Sequence, residues 1–228
     1  AEAEKIIESA GIVAGGNFEL TQPVPPQLVW HNTMKRAVDM AKDALLSDYA
    51  PMPGSNSFVE VPFGGSAVWA PEETPWQDPL RQVIIDGTDI KLRGYIDRID
   101  LNLDDVTRVI DYKTGATPKA VSETVIDGGK EVQRCIYGYA VKSLLGNVPV
   151  EAALLYTRDK QYSPLEDASE ALSILSGFVS DAKASLLRGT AMPGIDGQDA
   201  YNDMKFALPA NRGRFFITKG STFDEHLS

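Results

Sequence analysis

Asp97, Asp111 and Lys113 sit in two short apolar runs that follow one another closely, one alternating from Leu92 and one ending at Lys113. Carboxylates inside such runs are costly to bury without a partner. A shared Mg²⁺ or Mn²⁺ would be a suitable partner, because hard cations take carboxylate oxygens and keep several waters. Asp111 and Lys113 are two apart, so on a strand both side chains face one side. Together these residues suit hydrolysis of a phosphodiester. The cation would polarise the phosphoryl oxygen and lower the pKa of water. The lysine would orient or deprotonate that water, or counter charge on the phosphate. The competing reading is structural: Asp97, Asp100 and Asp111 as strand-end or turn carboxylates paired with Arg98, Arg108 and Lys113.

The surrounding pattern supplies elements to hold these groups. A short helical pattern ends at Gly11, and a Pro-rich turn follows. Apolar residues then recur at helical spacing from Leu28 to about Leu46. Residues 57–63 alternate like a strand. Residues 81–86 and 89–101 read as a hairpin across Gly87, and residues 106–113 as the next strand. A polar loop spans 115–129, a helix is expected over 130–145, a strand over 150–158 and a second long helix over 166–188. This order predicts an α/β or α+β core with a mixed sheet. The expected divisions are an N-terminal helical segment (1–56), a core (57–188) and a C-terminal extension packed on it (189–228).

The 228 residues, 43% of them hydrophobic, suffice for one sizeable core. No apolar run reaches the roughly 20 residues of a membrane span, and no basic-then-apolar segment opens the sequence. The expectation is a cytoplasmic protein without a membrane partner. A net charge of −10 argues against coating DNA by charge alone. The acid is unevenly spread, however: residues 91–142 hold nine Lys/Arg against eight Asp/Glu. Residues 204–223 carry Lys205, Arg212, Arg214 and Lys219 with no acid. Arg98, Arg212 and Arg214 are candidate DNA contacts, the alternative for the last two being a solvated basic edge. Cys135 is the only cysteine, so the chain cannot supply a four-cysteine iron–sulfur cluster.

Three motifs in order carry a family resemblance. Gly94-Tyr95-Ile96-Asp97-Arg98-Ile99-Asp100 fits a G-x-I-D-R-x-D pattern, and Asp111-Tyr112-Lys113-Thr114-Gly115 fits D-x-K-T-G. Gln133 and Tyr137 complete Q-x-x-x-Y. The sequence resembles the PD-(D/E)XK nuclease superfamily, in its RecB-like branch, which includes CRISPR-associated exonucleases. The resemblance implies a restriction-endonuclease-like core, with a central mixed β-sheet flanked by helices, and a Mg²⁺- or Mn²⁺-dependent nuclease acting on DNA. Residue by residue, it implies Asp97 and Asp111 as metal ligands and Lys113 as the catalytic lysine. Gln133 and Tyr137, four apart on one helical face, would position the site and contact DNA. His31 is the candidate for the upstream histidine that completes the metal site, although it stands in Gln27-Leu28-Val29-Trp30-His31 and not in the usual G-x-x-x-H context; the alternative is an ordinary helix residue. Glu60 is the candidate for the preceding acidic strand. Many relatives close the domain with an iron–sulfur cluster; here packing around Phe215, Phe216 and Ile217 would have to serve.

The leading expectation is a metal-dependent DNA exonuclease in repair, recombination, or phage or CRISPR DNA processing. No G-x-x-x-x-G-K-[ST] motif is present, so a helicase or a recombination or CRISPR protein is the expected partner where a motor is needed. A non-catalytic DNA-binding or scaffold module is the alternative. A carboxylate-pair glycosidase would need neither Lys113 nor a metal.

Overall fold

The computed structural model describes residues 2–46, 48–65, 74–76, 78, 80–102, 106–119, 131–146, 148–165, 168–189, 211, 213–215 and 217–218. The chain forms two compact units, Ala1–Leu175 and Ser176–Ser228. Of the residues singled out above, Lys205, Arg212, Phe216 and Lys219 lie outside the described residues, as does most of the expected C-terminal extension.

The first unit opens with two helices, α1 (Glu2–Thr21) and α2 (Gln27–Leu46). Helix α1 does not stop at Gly11, as its sequence suggested. It runs ten residues further because Gly11 and Gly15 act as contact surfaces and not as stop signals. A Cβ at Gly11 would lie 2.4 Å from Val38 Cγ2, and one at Gly15 2.8 Å from Met34 Cε. Two bare positions four apart let α2 approach closely. Phe18 stacked on Trp30 at 5.5 Å and Lys42 paired with Glu8 at 2.6 Å fasten the two helices along their length.

A five-stranded mixed sheet follows. Its strands are β1 (Asn56–Phe63), β4 (Gly94–Leu101), β5 (Thr107–Lys113), β6 (Val150–Tyr156) and β7 (Gln161–Pro164), hydrogen-bonded in that order. Only the β5–β6 pair is parallel. A parallel pair requires a crossover, and helix α3 (Gln133–Leu145) provides it. The expected mixed sheet flanked by helices is present.

The expected strand over 89–101 divides in two. Strand β3 (Lys91–Leu92) pairs with β2 (Val83–Ile84) in a separate two-stranded ribbon, whereas β4 starts at Gly94 inside the main sheet. Close backbone packing occurs at the division. A Cβ at Gly64 would fall 1.9 Å from Leu92 O, and one at Gly94 would fall 3.0 Å from the Phe63 ring. Strand β7 and the Thr157–Lys160 turn before it are also additional to the sequence reading; Lys160 takes φ 56° there.

Alternation along the strands sorts the side chains onto two faces. Arg98, Asp100, Ile110, Tyr112 and Leu155 share one face. Ile110 and Leu155 there pack with Ala44 at the end of α2 and with Tyr49 and Tyr162. Asp97, Ile99, Val109, Asp111, Lys113, Leu154 and Tyr156 share the other. Helix α3 covers this second face with Cys135, Gly138 and Val141; a Cβ on Gly138 would sit 3.2 Å from the Ala152 methyl. Helix α4 (Ala168–Leu187) begins in the first unit, burying Ala171, Leu172 and Leu175.

Candidate active site

The antiparallel ladder between β4 and β5 ends at the Arg98–Ile110 rung. Asp97 and Asp111 come next in the same register. Ladder bonding gives way there to a side-chain bond: Tyr112 N donates to Asp97 Oδ2 at 2.9 Å. This bond satisfies the Tyr112 amide and fixes the Asp97 carboxylate beside the start of the Asp111–Lys113 segment.

Asp111 is 2% exposed. Lys113 Nζ lies 2.6 Å from its Oδ2. This is a close ion pair but not one directed as a hydrogen bond, so Oδ2 is a buried acceptor without one. Burial lifts the Asp111 pKa above the ordinary carboxylate range. The Lys113 cation opposes that rise, and the charges of Asp97 and Glu131 add to it.

Lys113 is held at both ends. Its carbonyl accepts from Thr157 N at 2.9 Å, and its ammonium donates to Gln133 Oε1 at the first residue of α3. The ammonium thus bridges β5 and α3. One turn along α3, the Tyr137 ring meets Phe63 edge-on at 6.3 Å. Burial first, then the charges of Asp97 and Asp111, push the Tyr137 phenol up to about 12, so at neutral pH it keeps its proton and can act as a donor.

Glu60 enters this arrangement through the backbone. Val59 pairs with Arg98 and Val61 with Ile96, which places Glu60 opposite Asp97. Glu60 takes φ 50°, a left-handed conformation uncommon for a non-glycine residue. Its side chain is exposed, and its charge acts on Tyr137. Glu60, Asp97 and Asp111 therefore occupy one row across three neighbouring strands.

Two candidates are placed differently. Arg98 is 1% exposed and turned to the face opposite Asp97. Its Nε and Nη2 donate to the two oxygens of Asp100 at 2.9 and 2.7 Å, Nη1 to Tyr112 Oη at 2.9 Å, and Nη2 to Tyr49 O at 2.7 Å. With its donors engaged inside the protein, it does not serve as a phosphate contact. It ties the end of α2 to the sheet. His31 is exposed on α2, nine residues or about 14 Å before Met40, the α2 residue whose Sδ lies 3.6 Å from Thr157 Oγ1. Among the described residues the structure records no bond from His31 to Asp97 or Asp111. Arg214 is exposed in the second unit.

One further acid belongs to the neighbourhood and was not singled out from sequence. Glu131 stands two residues before Gln133, pairs through Oε2 with the buried Arg134, and its charge acts on Asp111. Sequence placed it at the start of the helix expected over 130–145, whereas α3 begins at Gln133, and gave no sign that Arg134, three residues on, would be pinned against β7.

These residues can be tested against a divalent cation. Among the described residues no group of three or more His, Cys, Asp or Glu forms a ready-made metal cage. Mg²⁺ does not need one, since it binds through one or two carboxylates and keeps its other positions for water and substrate phosphate. A buried aspartate oxygen lacking a hydrogen bond, with a second carboxylate one strand away, fits that requirement.

A family model for the PD-(D/E)XK nuclease superfamily matches residues 25–199. A comparison with curated proteins finds no match. The matched span holds every strand among the described residues and the whole Asp97–Asp111–Lys113–Gln133–Tyr137 set, and no helix among the described residues is long and apolar enough to cross a membrane. The chain belongs to the PD-(D/E)XK nuclease superfamily.

Proposed function

We propose that the protein is a metal-dependent DNA nuclease of the RecB-like kind, acting as an exonuclease in DNA repair, recombination, or phage or CRISPR DNA processing. The observation that carries this reading is the convergence of Asp97, Asp111, Lys113 and Gln133 where two strands stop pairing. Asp97 and Asp111 hold the cation, with Glu60 and His31 as further candidate ligands. When bound, Mg²⁺ or Mn²⁺ supplies positive charge to the phosphoryl oxygen and lowers the pKa of water. Lys113, fixed by Gln133 and by Thr157, orients the attacking water and counters charge that builds on the phosphate. Tyr137 keeps its proton and offers a donor toward the strand. Arg214 and Arg212 contact phosphates. A helicase or a recombination or CRISPR protein supplies any motor.

The test is a time course on end-labelled linear and covalently closed circular DNA with Mg²⁺ or Mn²⁺. Loss of label from linear DNA and survival of the circle are expected. Cleavage of both at equal rates would mark an endonuclease. No cleavage of either, with DNA binding intact, would favour a non-catalytic DNA-binding module.

A further inference from the structure

Among the described residues, two carboxylate oxygens are buried without a hydrogen bond, Asp111 Oδ2 and Glu131 Oε1. Asp111 Oδ2 is compensated by the Lys113 ammonium at 2.6 Å, whereas Glu131 Oε1 is left as an unsatisfied buried acceptor, at a cost of about 1–3 kcal/mol. Among the described residues no donor reaches Glu131 Oε1. Its other oxygen, Oε2, takes Arg134 Nε at 2.9 Å, and Arg134 is itself pinned. Its Nη1 donates to Ser163 O and Oγ, both at 3.0 Å, and to Pro164 O at 3.3 Å on β7. The Glu131 carboxylate is therefore clamped through one oxygen, which leaves the other fixed.

That clamp sits at the site. Gln133, two residues on, holds the Lys113 ammonium, and Lys113 pairs with Asp111. The Glu131 charge also acts on Asp111 and on Tyr156, the register partner of Lys113. Glu131 is clamped to Arg134 through Oε2, which suits an acceptor beside the ligand pair of Asp97 and Asp111 and not a third ligand. An acceptor close to a hard cation but outside its ligand set meets the waters that Mg²⁺ and Mn²⁺ retain.

We propose that Glu131 is a positioning residue that accepts a hydrogen bond through Oε1 from a water carried by the cation at Asp97 and Asp111. The proposal rests on the metal-dependent reading above and adds a residue to it. Arg134 sets the direction of the acceptor, and the charge of Glu131 strengthens the hold on the hydrated ion. Groups that orient a metal in this indirect way are worth about 10- to 100-fold in metal affinity.

The experiment is titration of the full chain with Mn²⁺ in the absence of DNA, followed by calorimetry and by water-proton relaxation of the bound ion. Glu131→Gln keeps size and the bond to Arg134 but removes the charge. It should weaken Mn²⁺ binding about 10- to 100-fold with the number of waters on the ion unchanged, whereas Asp111→Asn should lose binding outright. Wild-type affinity in Glu131→Gln overturns the role of Glu131 alone, and so does a gain of a water on the ion, which marks a lost direct ligand. Absence of Mn²⁺ binding by the unaltered chain overturns the metal-dependent reading and this proposal with it. If Glu131→Gln does not fold, Glu131→Asp retains the charge and draws it back by one methylene. Its Mn²⁺ affinity should fall too, and unchanged affinity there overturns the proposal.

Discussion

Tyr112 N donates to Asp97 Oδ2 across 2.9 Å, one residue beyond Asp111 and at the first position where β4 and β5 no longer pair. One bond thus both replaces a rung of the ladder and fixes the first carboxylate relative to the second. Asp97→Asn can preserve that bond through its amide oxygen while removing the charge. Turnover should then fall by several kcal/mol in barrier, more than about a hundredfold, with the far-UV circular dichroism unchanged. Near wild-type turnover in the folded variant would make Asp97 a purely structural residue. Chelation should abolish cleavage and added Mg²⁺ or Mn²⁺ should restore it.

Asp111 bears on stability with a definite sign. Burial raises its folded pKa above the unfolded value, so the folded state binds the proton more tightly. The stability linked to that proton is present below the ordinary aspartate pKa of about 3.9 and is lost as pH rises through the raised value. Without metal at neutral pH, Asp111→Asn should therefore melt higher than the unaltered chain. The difference should shrink as pH falls toward 4. A variant that melts lower at neutral pH would show that the Lys113 pair outweighs the burial.

Lys113→Ala should lower turnover more than DNA affinity, because its charge acts where the transition state gains charge. Gln133→Ala, which frees the same ammonium from α3, should show a weaker form of the same pattern. Equal losses in binding and turnover would make Lys113 a simple phosphate anchor.

Arg98 and Arg214 should separate cleanly. Arg98→Ala leaves Asp100 buried and unpaired, at a cost of about 3–5 kcal/mol readable in a urea titration, and leaves the salt dependence of DNA binding alone. Arg214→Ala should leave the fold alone and flatten the salt slope by about 0.7–0.9 if it is a phosphate contact. An unchanged slope would make it a solvated edge.

The contrast between Asp97 and Arg98 shows what sequence could convey. Alternation within the strand and the two-residue spacing of Asp111 and Lys113 were enough to bring the acids and the lysine to one face, and helical spacing brought Gln133 to meet them. The same alternation puts Arg98, one residue on, behind the sheet. Its charge drew attention toward DNA, but its parity pointed inward. Gly11 was read as a stop because local propensity cannot reveal Val38 and Met34 across the helix pair. Glu131 stayed hidden for a related reason, since its neighbour Arg134 gains a fixed direction only from Ser163 and Pro164 on β7. The break between β3 and β4 coincides with crowding of Gly64 against the Leu92 backbone and of Gly94 against the Phe63 ring, which no run of apolar residues records.

Gly94 opens the first motif, three residues ahead of Asp97, and it lies against Phe63, whose ring in turn meets Tyr137. A methyl group there would stand 3.0 Å from the Phe63 ring, and the ring that meets Tyr137 would have to give way. The glycine is therefore a spacer in a mechanical train. Through one aromatic ring, the missing side chain on β4 is linked to a phenol on α3.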